Sequence, residues 1–286
     1  MIVKEALQKA IQELGTDYRL EAELLLADVV SRNRAGLLAH DDEELTAEQE
    51  QRYLAMVERR QNHEPLQYIL GTTNFMGMDL VVTPNVLIPR FDTEKLVEHS
   101  LKLLENYEDP LVVDVCTGSG AIAVSIAKYK QNAEVWASDL SEEALQIACK
   151  NNELQQTKVQ FKQGDLLTAF GEEFYGKFDA IISNPPYITT AEVKELPEDV
   201  LKEPMMALWG GEDGLYFYRK IVEQAAAYLQ DGGFLAFEIG CSQGESVQKL
   251  LIENDYEEVT LLQDWQGLDR VVSGKKKNKN FIKELV

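Results

Sequence analysis

The chain has 286 residues, 45% of them hydrophobic, which is enough for one or two domains with packed cores. Acidic residues outnumber basic ones by 49 to 28, and the formal charge of −21 argues against an extended footprint on a phosphate backbone. No apolar run reaches the length of a membrane span. The three cysteines form no CxxC pair, which indicates a reducing, cytoplasmic setting, and the three histidines lack metal-ligand spacing, so we expect no metal site.

The chain begins with three stretches of helical periodicity. Apolar residues recur at intervals of three and four from Ile2 to Ile11, and again from Arg19 to about Ser31. A third stretch starts at Thr46, where Gln49 completes the pattern of a capping box. Together they predict a small helical bundle, which we assign to an N-terminal domain over residues 1–73.

A short segment with a different pattern follows the predicted bundle. Residues 72–90 alternate between apolar and polar types and contain several turn residues. This pattern predicts a β-hairpin, and we assign residues 74–90 to a linker between two domains.

Predicted strands and helices alternate through the remaining segment, residues 91–286. Helices are predicted near residues 120–130, 141–153 and 214–230, and strands over Leu111–Val115, Val135–Asp139, Val159–Gln163, Phe178–Asn184, Phe234–Ile239, Glu257–Gln263 and Arg270–Ser273. This alternation favours a doubly wound, mostly parallel α/β sheet. The last two strands are separated by a short loop around Gly267, so a hairpin places one antiparallel strand in the sheet. The lysine-rich stretch at 274–280 is interpreted as a solvated loop or tail.

A glycine turn joins the first of these strands to a helix. In "VVDVCTGSGAIAVSIA" (112–127), Gly118 and Gly120 permit close backbone approach, and the following helix offers free N–H groups. Such a turn alone fits a ligand loop and a plain connection equally well. Asp139 ends the second strand about twenty residues later, where Rossmann-like folds place an acid that accepts hydrogen bonds from ribose hydroxyls. The alternative role for Asp139 is a helix cap, although Ser141 is better placed for that.

The charge before the glycine turn indicates which cofactor would fit. Asp114 directly precedes the turn and would repel a pyrophosphate group. It suits a cofactor that carries positive charge. S-adenosylmethionine, with its ammonium and sulfonium groups, therefore fits better than NAD.

The stretch "ISNPPYI" (182–188) follows the apolar run of the predicted strand Phe178–Asn184. Prolines end strands because they donate no backbone hydrogen bond, so Asn184 lies at the carboxyl end of the strand. In open α/β sheets that edge is where ligands bind. The sequence therefore predicts a rigid platform with a polar tip at the binding edge.

The residue types of this platform suit methylation of an amide or aromatic amine nitrogen. Such a nitrogen is a poor nucleophile because its lone pair is delocalised, and two acceptors beside its NH2 group favour a more tetrahedral geometry. The Asn184 side-chain oxygen and a carbonyl of Pro185 or Pro186 can supply those acceptors. Tyr187 offers a flat face for a planar group near a cation. No general base is required, since the alkylated nitrogen loses its proton easily, and positioning is most of the catalysis.

The Asn-Pro-Pro-Tyr tetrad after "FDAII", with "DVCTGSGAIA" upstream, resembles the S-adenosylmethionine-dependent amino-methyltransferases of the seven-stranded class. Adenine-N6 DNA, guanine-N2 RNA and protein glutamine methyltransferases share the tetrad. The stretches "EPLQYILGTTNF" (64–75), "LIPRFDTEKLVE" (87–98), "EPMMALWGGEDGL" (203–215) and "FEIGCSQGESV" (237–247) resemble the peptide chain release factor glutamine methyltransferases in particular.

This resemblance runs along nearly the whole chain and implies a fold and an activity. The implied fold is a seven-stranded Rossmann-like methyltransferase sheet, mostly parallel with one antiparallel strand, behind an N-terminal helical-bundle domain. The implied reaction methylates N5 of the glutamine in the Gly-Gly-Gln loop of bacterial class-1 release factors. S-adenosyl-L-methionine is the cofactor and S-adenosyl-L-homocysteine the product. We expect the helical domain to recognise the release factor, without direct contact to nucleic acid or membrane.

The resemblance also implies roles for individual residues. The cofactor-binding set consists of Cys116, Thr117, Gly118, Ser119, Gly120, Asp139 at the ribose, Asp165 and Leu166 at the adenine, and Asn184. The substrate-binding set consists of Arg90, Phe91 and the tetrad Asn184, Pro185, Pro186 and Tyr187, and the tetrad is also the catalytic set. Two residues depart from the family pattern: Cys116 replaces a glycine of many relatives, and Phe91 replaces a frequent proline. Structural alternatives are a core role for Leu166, an ion pair for Arg90, and a surface loop for Trp209 and the "GGEDG" run.

The sequence argues against two other functions. A nucleic-acid exocyclic amino-methyltransferase, acting on adenine N6 or guanine N2 of a flipped base, would need a basic target-reading region. Residues 1–90 contain 9 basic and 15 acidic residues, a balance of −6, and residues 91–286 contain 19 and 34, a balance of −15, which argues against it. A non-catalytic binding module would be expected to have lost Asn184 or the glycine turn, and both are present.

Overall fold

The computed structural model describes residues 1–278, which form two compact units. The first unit contains Met1–Thr72 and the short segment Pro197–Lys202, and the second contains Thr73–Leu196 and the chain from Glu203 onward. The lysine-rich stretch predicted as a loop or tail is divided: residues 274–276 belong to the last strand, whereas 279–280 lie outside the described residues.

The first unit is helical, as the periodicity predicted. Its α-helices are α1 (Val3–Leu14), α2 (Arg19–Val29), α3 (Arg34–Ala39), α4 (Ala47–Gln61) and α5 (Leu66–Leu70). The capping box at the start of α4 is present, since Thr46 Oγ1 accepts from the Gln49 N–H and the Gln49 side chain accepts from the Thr46 N–H. The sequence did not reveal α3 and α5, which are too short to show a helical period.

The helices of the first unit enclose a hydrophobic core. Leu25, Leu26 and Tyr53 are fully buried in it, and the Tyr53 hydroxyl donates to the Ala22 carbonyl at 3.1 Å. The buried carboxylate of Glu23 is ion-paired with two arginines, so its charge is compensated.

The segment Pro197–Lys202 belongs to the first unit through charged contacts. Glu198 lies 2.8 Å from His63 Nε2, and Asp199 lies 3.8 Å from Arg60. A stretch that is distant in sequence from the N-terminal helices thus completes this unit.

The second unit begins with a two-stranded sheet of β1 (Thr72–Phe75) and β2 (Met78–Val81). This hairpin is shorter than the predicted one. Pro84 and Pro89 lack backbone N–H groups, and no strand is assigned over residues 82–90. Helix α6 (Phe91–Leu104) follows directly.

The main sheet of the second unit has seven strands. They are β3 (Leu111–Val115), β4 (Glu134–Asp139), β5 (Gln160–Gln163), β6 (Phe178–Ser183), β7 (Leu229–Glu238), β8 (Tyr256–Gln263) and β9 (Asp269–Lys276). The order across the sheet is β5-β4-β3-β6-β7-β9-β8. In this sheet β9 runs opposite to the other six strands, and it pairs antiparallel with both β7 and β8. The predicted mostly parallel sheet with one antiparallel strand is confirmed.

Helices cover both faces of this sheet. The longer ones after α6 are α7 (Ala121–Tyr129), α8 (Glu142–Leu154), α10 (Tyr216–Tyr228) and α11 (Gly244–Glu253), and α9 (Met205–Leu208) is a single turn. Adjacent strand residues point to opposite faces: Val112 and Ile182 belong to one core cluster, and Val113 and Ile181 to another. The sheet is therefore buried on both sides.

The strand order creates a crevice at the carboxyl edge of the sheet. The chain runs from β3 outward through β4 and β5, and then returns to place β6 on the other side of β3. Open α/β sheets bind ligands at such a switch point. Val115 is in register with Ser138 of β4 and Ser183 of β6, so the residues that follow these three strands meet at one edge.

Candidate active site

A cavity of about 280 Å³ opens at this edge of the sheet. Predicted site residues in its lining are Cys116, Gly118, Asp139, Asp165, Leu166, Asn184 and Pro186. They come from the ends of β3, β4 and β6 and from the loop after β5. The topology thus brings together residues that are spread over 70 positions of sequence, from Cys116 to Pro186.

The glycine turn after β3 is built from left-handed backbone. Gly118 has φ +54° and Gly120 has φ +79°, values that side chains other than glycine rarely adopt. A Cβ at Gly120 would lie 3.0 Å from Ala148 Cβ, so glycine also lets α8 pack closely. Cys116 has φ +61°, so a residue with a side chain also adopts the left-handed region in this turn.

Asp139 ties the end of β4 to the glycine turn. Its Oδ2 accepts from the Gly118 N–H at 2.8 Å and its Oδ1 from the Ser141 N–H at 2.9 Å. Burial raises the pKa of Asp139, and these backbone hydrogen bonds lower it. Ser141 provides the side-chain cap of α8, since its Oγ accepts from the Ala144 N–H at 3.0 Å. The cap therefore falls to Ser141, as predicted, and Asp139 faces the cavity with further lone pairs available.

Asp114 does not line the cavity, contrary to the expectation that it faces a positive cofactor group. Its Oδ2 accepts from Thr117 Oγ1 at 2.6 Å and from the Ala123 N–H at 3.2 Å. Because the side chain is completely buried, its pKa is raised to about 7. Its other oxygen, Oδ1, has no hydrogen-bond partner among residues 1–278. The carboxyl group therefore stabilises the glycine turn from inside the core, through its hydrogen bonds with Thr117 and Ala123.

Three residues of the predicted cofactor loop have structural contacts and lie outside the cavity lining. The Thr117 hydroxyl donates to Asp114, and Gly120 packs against Ala148. Ser119 is buried, and its carbonyl accepts from Asn151 Nδ2 at 2.9 Å. Their assignment to the cofactor stays a prediction.

Leu166 and Asp165 line the cavity after β5. Leu166 is buried in a core cluster, has φ +55°, and accepts a hydrogen bond at its carbonyl from the Ser138 hydroxyl at 3.1 Å. Leu166 therefore packs in the core and also lines the cavity. Asp165 is half exposed and lies 3.4 Å from Lys220 Nζ.

Asn184 begins the loop after β6 with its amide held by one contact. Its Nδ2 donates to Thr93 Oγ1 at 3.2 Å. No donor among the described residues reaches Asn184 Oδ1, the oxygen predicted to accept a hydrogen bond from the substrate. Asn184 is half-buried at the cavity, so this acceptor is available to a bound molecule.

The rest of the tetrad is divided between the cavity and the core. Pro186 lines the cavity, whereas Pro185 and Tyr187 are not part of its lining. The Tyr187 hydroxyl donates to Glu238 Oε1 at 3.3 Å, and the Tyr187 carbonyl accepts from Gln243 Nε2 at 3.0 Å. The tetrad is therefore fixed at both ends.

The loop that follows α9 packs against the backbone of the tetrad. A Cβ at Gly210 would lie 2.6 Å from the Pro186 carbonyl oxygen and 2.6 Å from Tyr187 Cα, so only glycine fits there. Trp209 lines the cavity, and its Nε1 donates to Thr190 Oγ1 at 3.0 Å. In this loop Trp209, Glu212 and Asp213 are exposed, whereas Gly210 and Gly211 are buried against the site.

Arg90 and Phe91 lie outside the cavity lining. Arg90 forms an ion pair with the buried Glu203, whose other oxygen accepts from the Ile88 N–H at 2.9 Å. The ion-pair alternative for Arg90 is therefore present. Phe91 is 82% exposed at the first position of α6, an unusual exposure for a large aromatic side chain. Contact of either residue with a substrate stays a prediction.

Several residues of the site were missed in the sequence. Leu140 and Phe217 line the cavity and bring apolar surface to it. An apolar residue between the polar Asp139 and Ser141 was a signal for Leu140, whereas Phe217 on α10 had no local signal. Thr93 and Glu238 lie within stretches that carried the family resemblance, and the sequence alone assigned them no role.

No helix within residues 1–278 is long and apolar enough to cross a membrane. No three histidine, cysteine, aspartate or glutamate side chains of these residues are grouped as metal ligands would be.

Two known protein families match segments of this chain. Residues 5–71 match the family described as the PrmC N-terminal domain, and residues 92–212 match the methyltransferase small domain. A methyltransferase structure from Pyrococcus furiosus aligns with a TM-score of 0.52 at 19% identity and covers 81% of this chain and 100% of that one. At that identity the match concerns the fold alone.

Curated relatives carry the comparison further. The release factor glutamine methyltransferase of Geobacter sulfurreducens is 42% identical over 258 residues, which is 90% of this chain and 89% of that protein. The enzyme of the same name from Moorella thermoacetica is 42% identical over 277 residues, 94% of this chain and 97% of that protein. The resemblance inferred from the motifs is thus confirmed along almost the whole length. The chain belongs to the release factor glutamine methyltransferase family of methyltransferase enzymes.

Proposed function

We propose that this protein methylates the side-chain amide nitrogen N5 of the glutamine in the Gly-Gly-Gln loop of bacterial class-1 release factors. The methyl donor is S-adenosyl-L-methionine and the product S-adenosyl-L-homocysteine. The observation that carries the proposal is the Asn184 amide: its nitrogen is occupied by Thr93, and its oxygen is available at a cavity on the binding edge of the sheet. The names of the curated relatives favour a glutamine as the substrate group.

The residues around the cavity fit this cofactor. Asp139 offers carboxylate lone pairs for ribose hydroxyls, and Leu140, Leu166 and Phe217 offer apolar surface for a flat adenine ring. Cavity residues include Asp139 and Asp165 but no lysine or arginine, which suits a ligand with positive groups and no phosphate. When bound, S-adenosylmethionine supplies a methyl group on an electrophilic sulfonium.

The protein's own contribution to the reaction is to hold the glutamine amide. Asn184 Oδ1 and a carbonyl of Pro185 or Pro186 accept its two N–H groups, which favours a tetrahedral nitrogen with its lone pair directed at the methyl group. Tyr187 offers a flat face for the planar amide. No side chain has to remove a proton before the transfer, because the methylated nitrogen is acidic and releases its proton to water. The residues act through positioning.

The domain assignment follows from this function. We propose that residues 1–73 recognise the folded release factor, that residues 74–90 link the domains, and that residues 91–286 catalyse the reaction. A glutamine between glycines presents few side chains, so specificity requires a second contact surface. A protein that acts on release factors works where translation occurs, and we place this one in the cytoplasm.

The nucleic-acid alternative has less support. To bind a nucleic-acid substrate, the protein would need a basic surface. Both parts of the chain are acidic, and the cavity lining contains no lysine or arginine. Relatives of the whole chain are named for glutamine methylation.

Mass spectrometry of an unmethylated release factor incubated with this protein and the cofactor tests the proposal. A gain of one methyl group on the Gly-Gly-Gln glutamine, located by fragmentation, is expected. A release factor with that glutamine replaced by asparagine is the matched control and should stay unmodified. Absence of methylation on the natural factor, or methyl groups on an added nucleic acid instead, would refute it.

A further inference from the structure

A buried polar group lies behind the tetrad, between the first turn of α6 and the end of β7. Thr93 and Glu238 are both buried, at 4% and 1% exposure. Thr93 Oγ1 accepts from Asn184 Nδ2 at 3.2 Å, and Glu238 Oε1 accepts from the Tyr187 hydroxyl at 3.3 Å. The Thr93 hydroxyl also lies close enough to Glu238 to lower the pKa of that carboxyl. These two residues therefore contact the first and last residues of the tetrad.

The chemistry of the groups fixes the direction of the hydrogen bonds. The Asn184 NH2 group can only donate, so Thr93 Oγ1 must be the acceptor. The single hydroxyl proton of Thr93 is then left to point at another acceptor. Asn184 and Thr93 are thus joined by one hydrogen bond of fixed direction, from the amide nitrogen to the hydroxyl oxygen.

This direction decides which end of the Asn184 amide faces the cavity. An asparagine side chain can present its oxygen or its nitrogen after a half-turn, and the two ends have similar shapes. With Thr93 accepting, the nitrogen is held inside and Oδ1 is left for the substrate. Without the hydroxyl, nothing in these contacts would prevent the half-turn, which would place a donor where the reaction needs an acceptor.

We propose that Thr93 is a positioning residue that holds the Asn184 amide in the one orientation able to accept from the substrate NH2 group. Glu238 holds the other end of the tetrad through the Tyr187 hydroxyl. The proposal rests on the proposed function.

A role in folding alone explains this arrangement less well. Glu238 Oε2 has no hydrogen-bond partner among residues 1–278, and burial raises the pKa of the carboxyl to about 7. A buried acceptor without a partner costs free energy, so stability alone would favour an apolar residue there. Arg270 lowers the pKa of Glu238 and Asp92 raises it, so the charge is only partly compensated.

The matched pair Thr93→Val and Thr93→Ser tests the proposal. Valine keeps the shape of threonine and removes the hydroxyl, whereas serine keeps the hydroxyl. For Thr93→Val we expect a roughly 10- to 100-fold loss in kcat, as for other misaligned groups at a reacting centre, with the KM for the release factor and the Kd for S-adenosylhomocysteine nearly unchanged. Thr93→Ser should recover most of the lost rate. Equal losses in both variants, or wild-type kcat in Thr93→Val, would overturn the proposal.

A double-mutant cycle with Glu238→Leu, which removes the acceptor of the Tyr187 hydroxyl, tests the second residue. If both residues position one tetrad, Glu238→Leu should lower kcat in the wild type and have a smaller further effect once Thr93 is valine. Additive losses, or no loss from Glu238→Leu, would remove Glu238 from the proposal.

A measurement without turnover separates this proposal from the proposed function. The side-chain NH2 signals of Asn184 in a ¹⁵N-labelled sample, identified by their absence in Asn184→Ala, should exchange slowly with solvent in wild type and Thr93→Ser. They should exchange faster in Thr93→Val. An inactive wild-type enzyme with protected signals would refute the proposed function alone, and unprotected signals in the wild type would refute the positioning role.

Discussion

The contacts of Asn184 determine which end of its amide is available at the cavity. The prolines that follow stop β6, and Thr93 occupies the amide nitrogen, so the oxygen is the atom left available there. At this scale the sequence predicts the tetrad as a site, because its four residues are adjacent. The contact with Thr93 could not, because it joins residues 91 positions apart.

Replacing Asn184 by alanine should lower kcat by about 100-fold or more, because one preorganised acceptor at the reacting nitrogen is lost. The thermal unfolding midpoint should change little, and S-adenosylhomocysteine should still bind. Steady-state kinetics on a release factor and calorimetry measure these quantities. Asn132→Ala, at an exposed asparagine, is the control and should retain full activity. Near-wild-type turnover of Asn184→Ala would exclude the residue from the mechanism.

Asp139→Ala should weaken cofactor binding more than release factor binding. A carboxylate that accepts from ribose hydroxyls contributes about 1.5–3 kcal/mol per hydrogen bond, less its desolvation cost. The substitution also releases the N–H groups of Gly118 and Ser141, so Asp139→Asn, which keeps one acceptor oxygen, is measured beside it. Calorimetry with S-adenosylhomocysteine gives the dissociation constants. If neither variant changes them, Asp139 serves only to join β4 to the glycine turn.

The buried Asp114 should make stability depend on pH. Its pKa is about 7 in the folded protein, above the value of about 3.9 in an unfolded chain, so the folded state binds the proton more tightly. This contribution to stability is fully present below pH 4 and is lost as the pH rises through 7, at up to about 1.4 kcal/mol per pH unit. In denaturant titrations between pH 5 and 8, Asp114→Asn should flatten the fall that the wild type shows. Parallel curves for the two proteins would contradict the raised pKa.

At the scale of elements, the predictable parts are those with strong local patterns. The apolar run ending in two prolines gave β6 to within one residue, and the capping box gave the start of α4. Helices α6 and α11 begin without a side-chain cap, which removes the usual signal for a helix start. The apolar wall of the cavity also escaped prediction, because Phe217 comes from α10 and meets the loop after β4 only in the folded chain.

The loop after α9 offers a test of how one element positions another. Gly210→Ala should displace the tetrad, because the new Cβ would overlap with the backbone of Pro186 and Tyr187. We expect at least a 10-fold loss in kcat, by misplacement of the reacting groups, and a smaller change in cofactor binding. Gly267→Ala is the control on the β8–β9 turn: its φ of +80° strains an alanine, but the new Cβ would meet no atom within 4 Å. This variant should lose some stability and keep its kcat. An active Gly210→Ala enzyme would mean that the tetrad does not require this support.

At the scale of the whole molecule, the first unit has no reactive cluster, and the predicted chemistry lies after it. A chain that starts at Thr73 should still bind cofactor and slowly methylate a short Gly-Gly-Gln peptide. Its kcat/KM should fall much further on the intact release factor than on the peptide, because the second contact surface is missing. Peptide and protein substrates are compared in one assay, after circular dichroism has verified folding. Equal losses on both substrates would show that the helices only stabilise the catalytic unit.

Because of the segment Pro197–Lys202, neither unit is one continuous stretch of the chain. Because this segment leaves the second unit after Leu196 and returns to it at Glu203, the polypeptide passes between the units three times. Grafting the helical unit onto another methyltransferase would therefore require two transplanted pieces, the N-terminal 72 residues and this six-residue insert. The insert brings Glu198 and Asp199 to His63 and Arg60, so a swap of the N-terminal piece alone would break that charge pairing. If the first unit recognises the release factor as proposed, these two sequence blocks should be inherited together in this family, with compensating changes in both.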